Sequence, residues 1–381
     1  MAQRPVRGHS LIHGSGTVRP MRVVTVLPRR EGYSPDAVGA IGLQVTAMAG
    51  PDDVVVGMPI TGAPLPGGRF VPAVVGWWPP GTTLWRYARA VGRAIRRDTP
   101  APDLIEVHNR PDMALFLARR FPRIPILLVL HNDPQGMRFA RTPAARQALL
   151  GRVHVAAVSH WLRDRFLDGL PDNCGARVAF SPNGTAIPAT CTPPAARERV
   201  VMFAGRVVAD KGADLFVQAW AAIRAAHPGW RAVMYGADRF FAHAPQTPFI
   251  AALRPQAQAA GVEMMGYRPH ADVLTAMGRA AIVVMPGRWP EPFGLSALEA
   301  MAAGAALVSA PYGALARVVG DGGLLVPPMP VEGLAAALSG LMAAPEERAA
   351  LSARGRAQAR CFDLPQARAI RHRVRAACVG A

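Results

Sequence analysis

The chain has 381 residues with 43 Lys+Arg against 25 Asp+Glu, a formal net charge of +18. That length exceeds one ordinary core and suits two domains of about 150–180 residues, and no apolar run approaches the ~18–20 residues a membrane span needs. Four cysteines, Cys174, Cys191, Cys361 and Cys378, lack metal-site or redox-motif spacing, so free thiols in a reduced cytoplasm are the simplest account.

Residues 1–20 carry Arg, Gly and Ser without the apolar core of a signal peptide, and read as a disordered tail or an artefact of start-site choice. From Met21 onward strand and helix alternate. Short apolar runs at Arg22–Leu27, Val54–Gly57, Leu104–His108, Ile126–His131 and Val153–Ser159 have the character of buried parallel strands. Helical stretches such as Pro111–Arg120 and His160–Leu167 separate them. Residues 186–198 are Pro-rich and read as a linker, after which Val200–Ala204, Ala232–Tyr235, Ile282–Met285 and Ala306–Ser309 repeat the theme. The pattern predicts an α/β chain of two Rossmann-like, doubly wound parallel-sheet domains, 21–185 and 199–360, with ligands at the carboxyl ends of their strands. Residues 361–381 follow, with a helix over roughly Pro365–Ala377.

Two motifs in the second half carry chemistry. The first is Gly205-Arg206-Val-Val-Ala-Asp-Lys211-Gly212, which holds the single lysine of the chain. Arg offers a planar fork and Lys a compact ammonium on a flexible stem; five positions apart, beside glycines and after an apolar run, they suit a diphosphate clamp. The second is Glu291-Pro292-Phe293-Gly294-Leu295-Ser296-Ala-Leu-Glu299, preceded by Pro290. The prolines force an extended or turn backbone around Glu291, and Ser296 to Ala303 reads as a short helix closed by Gly304. One carboxylate thus lies on the loop before a helix and the other about one turn inside it. The free N–H groups of the helix start lie between them as a phosphate site. Carboxylates beside an anion site suit hydroxyl donors such as sugars and riboses.

Taken together, residues 200–330 resemble the C-terminal domain of retaining glycosyltransferases of the GT-B fold, family 4. The resemblance implies two Rossmann-like domains facing across a cleft, with the C-terminal helix crossing back to the first. It implies that Arg206 and Lys211 hold the donor diphosphate and that Glu291 contacts hydroxyls of the transferred sugar. Glu299 would contact the nucleotide ribose, the Phe293, Gly294 and Leu295 amides would face sugar and phosphate, and the base would lie near Gly266-Tyr267-Arg268. One departure stands out: where the family often continues Gly-Gly-x-x-Glu, this chain has Gly313-Ala-Leu-Ala-Arg317. No Asp-x-Asp element occurs, so no metal is expected and charge on the leaving diphosphate falls to Arg206, Lys211 and the helix start.

The first half should present the acceptor. His131 ends a strand, with Asn132 and Asp133 after it; a structural role and an active-site role both fit, and it resembles the histidine of the family's N-terminal domain. Val107 to Asp112 ends the preceding strand, either binding acceptor or capping the helix at Pro111. Gly32 to Gly42 is a loose glycine-containing stretch where the family brings acceptor and donor phosphate together. Ser181-Pro-Asn183-Gly184 resembles the family's turn before the linker and reads as structural.

Net charge asks for an acidic partner, yet the arginines are spread over both halves without a nucleic-acid reader motif. An anionic lipid-linked acceptor or the inner membrane face fits better. On Leu84–Arg97, Arg86, Arg89, Arg93 and Arg97 share one stripe and Leu84, Ala88, Val91 and Ile95 another, with Trp77, Trp78 and Trp85 at its start. Such a helix either lies in a lipid interface or packs its apolar side on the sheet. The reading is a cytoplasmic, peripherally membrane-associated retaining glycosyltransferase. It would move sugar from a UDP-sugar, with GDP second, to a glycan acceptor in lipopolysaccharide or exopolysaccharide synthesis. The alternatives are a GT-B sugar-nucleotide epimerase or hydrolase, and a non-catalytic basic binding protein. A pyridoxal-phosphate phosphorylase is set aside because its Schiff-base lysine would have to be Lys211.

Overall fold

The computed structural model describes residues 21–35, 37–77, 81–238 and 246–380. The tail over 1–20 and Trp78 lie outside the described residues. In chain order the first half contributes β1 (Val23–Val26), β2 (Tyr33–Ser34), β3 (Ala37–Val38), β4 (Val54–Gly57), β5 (Arg69–Pro72), β6 (Leu104–His108), β7 (Ile126–Leu130), β8 (His154–Ala157) and β9 (Val178–Phe180). The second half contributes β10 (Glu198–Ala204), β11 (Arg231–Tyr235), β12 (Val262–Gly266), β13 (Ala280–Met285), β14 (Ala306–Ser309) and β15 (Leu324–Leu325). Two wholly parallel sheets result, ordered β5-β4-β1-β6-β7-β8-β9 and β12-β11-β10-β13-β14-β15, beside a small β2-β3 hairpin.

Burial explains the pattern. β4, β6, β7 and β13 are buried at every residue, because helices cover both faces and leave no polar side to alternate with. In each sheet the chain runs outward from the first strand, then returns to its other side. Strand order therefore reverses between β1 and β6 and again between β10 and β13. Ligands of open α/β sheets bind beyond the strand ends at such reversals.

The four edge strands, β5, β9, β12 and β15, are the ones the apolar-run criterion passes over. β5 and β12 carry exposed or charged residues, and β9 and β15 are only three and two residues long, so none presents a long apolar run.

The two halves share a buried apolar cluster that reaches from Leu127 and Ala156 to Met202 and Met301. The chain crosses between them at two adjacent points. Thr185 N donates to Phe362 O at 3.1 Å and Leu364 N to Thr185 O at 3.1 Å. After the second crossing the helix Leu364–Val379 packs on the first half, where Arg368 Nε donates to Ala47 O at 2.6 Å.

Helix Thr83–Asp98 begins at a Thr82 side-chain cap and buries Tyr87, Ala88, Val91 and Ile95. Tyr87 Oη donates to Leu27 O at 2.9 Å. Its apolar side therefore packs on the sheet, while Leu84 and Trp85 remain exposed at its start, near the 81%-exposed Trp77.

Candidate active site

The loop after β10 and the loop after β13 meet at the second strand-order reversal. Gly212, at φ 70° between the Ala209–Lys211 turn and helix Ala213–Ile223, is where they touch. A Cβ there would sit 1.9 Å from Pro286 O, so only glycine allows the contact. Arg288 then clamps the pair: its backbone N donates to Asp210 O at 2.9 Å and its guanidinium to both Asp214 oxygens at 2.7 Å. Arg288 stands three residues before Glu291, and that proximity to the second motif is the only sequence signal of its role.

This contact brings Lys211 to Glu291, whose Oε1 accepts from Lys211 Nζ. Glu291 is 7% exposed, and its backbone is pinned from outside the motif. Ala314 N donates to Glu291 O at 2.8 Å, and Gly313 lies opposite Glu291 in a parallel bridge at φ 68°. A Cβ at Gly313 would lie 2.4 Å from Glu291 O. The glycine that opens Gly313-Ala-Leu-Ala-Arg317 thus positions Glu291, whereas Arg317 is exposed on helix Leu315–Val319.

Gly294, at φ 90°, opens helix Leu295–Ala302, one residue before the sequence-predicted start. Glu299 lies on that helix, 6% exposed, and its Oε1 is 2.8 Å from His270 Nε2. That hydrogen bond raises the His270 pKa above its ordinary value, against burial. His270 was missed in the sequence because it begins a separate helix, His270–Arg279.

A cavity of about 680 Å³ gathers these groups. Gly205, Arg206 and Lys211 line it from the β10 loop, Tyr267 and Arg268 from beyond β12, and Glu291, Phe293, Gly294, Leu295 and Glu299 from beyond β13. His131 enters from the first half. These eleven residues, each named from the sequence, therefore border one space. Two cations, a helix start and two carboxylates are complementary to a polyanion that also carries hydroxyls.

In the first half, Val38 to Ile41 of the Gly32–Gly42 stretch line this cavity, and Asn109 to Asp112 line an adjoining one. His108 is 2% exposed and bonded to Glu106 and His131, so it faces no acceptor. Its neighbour Asn109, at φ 58°, accepts from the His131 and Asn132 backbone N–H groups at 3.1 and 2.9 Å, tying two strand ends together. In the Gly32–Gly42 stretch, the start of helix Ala40–Met48 is occupied by Glu31, whose Oε1 accepts from Gly42 N at 2.8 Å. Burial raises the Glu31 pKa.

A second cavity, of about 920 Å³, adjoins the first and shares Arg206, Lys211 and Glu291 with it. Trp85, Phe139, Trp161 and Trp289 border it together with Arg119 and Arg138.

Residues 192–358 match the family Glycosyl transferases group 1, and residues 42–186 match Glycosyltransferase Family 4. The chain belongs to the group 1, family 4 glycosyltransferases. It is 29% identical over 280 residues to the glycogen synthase of Mycobacterium tuberculosis (strain H37Rv), covering 67% of this chain and 63% of the relative. It is 32% identical over 174 residues to the lipopolysaccharide core biosynthesis mannosyltransferase LpsB of Rhizobium meliloti (strain 1021), covering 44% and 48%. The matches therefore span less than two thirds of the length of these curated relatives. Among solved structures, Anabaena HepE in complex with UDP and glucose superposes with a TM-score of 0.72 at 19% identity, over 93% of this chain and 99% of that one. The GT-B fold is thereby shared.

Proposed function

We propose that this glycosyltransferase is metal-independent and retaining, and transfers a sugar from a nucleoside-diphosphate donor to a glycan acceptor. The observation that carries the reading is the convergence of Arg206, Lys211, the Leu295 helix start, Glu291 and Glu299 on one cavity beside a second, larger one. In this reading Arg206, Lys211 and the amides of Phe293, Gly294 and Leu295 receive the diphosphate, Glu299 a ribose hydroxyl, and Glu291 hydroxyls of the transferred sugar. Tyr267 and Arg268 border the base. The acceptor oxygen attacks the anomeric carbon on the face the diphosphate leaves. As that bond forms, the carbon–phosphate-oxygen bond breaks and the departing oxygen takes the acceptor proton. The cations offset the charge that develops there, and the absence of an Asp-x-Asp element supports a course without metal.

UDP is the preferred nucleotide and GDP the second; the UDP held by Anabaena HepE supports that order. The acceptor is a lipopolysaccharide or exopolysaccharide intermediate, a choice supported by the likeness to LpsB. Five aromatic rings and Arg119 and Arg138 around the second cavity suit a glycan that carries negative charge. Exposed Trp77, Leu84 and Trp85 beside Arg89, Arg93 and Arg97 support a peripheral place on an anionic cytoplasmic membrane face. Nucleic acid is not a partner in this reading.

The test is transfer from UDP- and GDP-sugars to lipopolysaccharide core oligosaccharides, with the product's anomeric configuration read by NMR. A product of inverted configuration would overturn the same-face course. Donor turnover to free or epimerised sugar, whatever the acceptor, would assign an epimerase or hydrolase instead. Flotation with anionic liposomes at low salt tests the membrane face, and protein left at the bottom of the gradient would remove it.

A further inference from the structure

Behind His131 a line of buried polar groups runs to the C-terminal helix. His131 Nε2 is 2.8 Å from His108 Nδ1, and His108 Nε2 is 2.9 Å from Glu106 Oε1. Glu106, 1% exposed on β6, accepts from Arg371 Nη1 and from Arg375 Nε, each at 2.8 Å. Arg375 Nη1 also donates to Asp53 Oδ2 at 2.9 Å, and Arg371 Nε to Ser181 Oγ at 2.5 Å. Two guanidiniums thus face two carboxylates, all four of them buried.

The donors and acceptors along this line fit together in one way. Guanidiniums only donate, and Arg375 and Arg371 hold the Glu106 carboxyl well below the usual range against its burial. An ionised Glu106 only accepts, so His108 carries its proton on Nε2. A neutral His108 then offers a lone pair at Nδ1, and His131 must donate to it from Nε2. A cationic His108 would add a third positive charge beside Arg371 and Arg375. Burial, above all, lowers the pKa of both imidazoles. His131 Nδ1 is left as a bare lone pair with no hydrogen-bond partner among the described residues, on a ring that borders the cavity.

We infer that Glu106 and His108 are positioning residues through which the C-terminal helix locks His131 as its Nε2–H tautomer, leaving Nδ1 to accept a hydrogen bond from a sugar hydroxyl. The inference rests on the glycosyltransferase reading for its ligand, but not for its tautomer. His131 then orients substrate and donates no proton. The helix Leu364–Val379 becomes a support of the reaction site as well as a fastening between the two halves.

Long-range ¹H–¹⁵N correlation spectra of the intact chain, labelled at histidine and without substrate, read the tautomer directly. The His131 signals are assigned by their loss in His131→Gln. The expected result near pH 7 is a proton on His131 Nε2 and none on Nδ1; an Nδ1–H tautomer or an imidazolium overturns the inference. His108→Phe removes the acceptor for His131 while keeping Glu106 with its arginines. It should abolish the tautomer preference and lower kcat by roughly tenfold, the scale of one hydrogen bond, with UDP affinity unchanged. His108→Gln, whose amide can both donate to Glu106 and accept from His131, should regain the tautomer and part of kcat. A folded His108→Phe with unaltered tautomer and kcat overturns the inference. Should His108→Phe not fold, the unsubstituted spectrum and His108→Gln still decide it. Failure of the unsubstituted chain to transfer sugar would remove the functional reading and leave the tautomer result standing.

Discussion

Replacing Lys211 separates two effects of one side chain, because its consequences for stability and for turnover differ in size. Lys211 pairs with Glu291, the two side chains being 26% and 10% exposed. An exposed pair contributes about 0–1 kcal/mol and breaking a fully buried one costs about 3–5 kcal/mol. This half-open pair falls between them, at about 1–2 kcal/mol on the same scale. Removing one preorganised donor from a site of developing negative charge costs about 2.7–4 kcal/mol, a factor of about 10²–10³ in rate. Lys211→Ala should therefore fold, melt a few degrees lower (about 2–4 °C per kcal/mol for a domain of this size), and turn over at least about a hundredfold more slowly. Lys211→Arg keeps the charge but should not restore the rate. The loops around it already touch, with 1.9 Å between the Gly212 Cβ position and Pro286 O, and a planar fork needs more room than an ammonium. Steady-state kinetics with the preferred donor, beside thermal melts, decide the matter. A folded Lys211→Ala with near-normal turnover would refute the electrostatic reasoning.

Gly294→Ala would place a methyl 2.4 Å from Leu315 Cδ2 at φ 90°, so urea unfolding should show a loss of about 1–3 kcal/mol; an unchanged midpoint would contradict this. Arg375→Ala strips Glu106 and Asp53 of a shared buried partner and should cost about 3–5 kcal/mol in the same experiment. The Cys378 thiol, pushed up to about 12 chiefly by burial, should resist alkylation in the native protein while exposed Cys361 reacts at once. His270 gains its proton more readily when folded, through Glu299, so its stabilisation is complete below about pH 6.5 and fades as pH rises through the raised folded pKa. The melting difference between the unsubstituted chain and His270→Gln should accordingly be full below about pH 6.5 and shrink as pH rises above it; a difference that does not change with rising pH would contradict the pairing.

Local pattern carried the central strands and the cleft, and physical reasons mark where it stopped. β7 and β13 are apolar throughout because both their faces are covered, and such runs are visible in any window of the sequence. β12, with an exposed Glu263, and β15, only two residues long, lie partly open to water at the sheet edges, so the same window shows nothing distinctive. Arg206, Lys211, Glu291 and Glu299 stood out because glycines and prolines beside them restrict the backbone in readable ways. Glu31 did not, since its carboxylate fills a helix start that begins nine residues later. The line from Asp53 through Glu106 to Arg375 was invisible for a different reason. Asp53 and Arg375 are 322 positions apart, and each taken alone is an ordinary charged residue in an arginine-rich chain.

Calorimetric titration of the purified protein with UDP, GDP and ADP, with Lys211→Ala alongside, tests the donor cleft most directly. The expected result is saturable binding of UDP in preference to the others, lost in Lys211→Ala. Failure of all three to bind the unsubstituted protein would contradict it, and would mean that the cavity lined by Arg206, Lys211 and Glu299 does not serve a nucleotide donor.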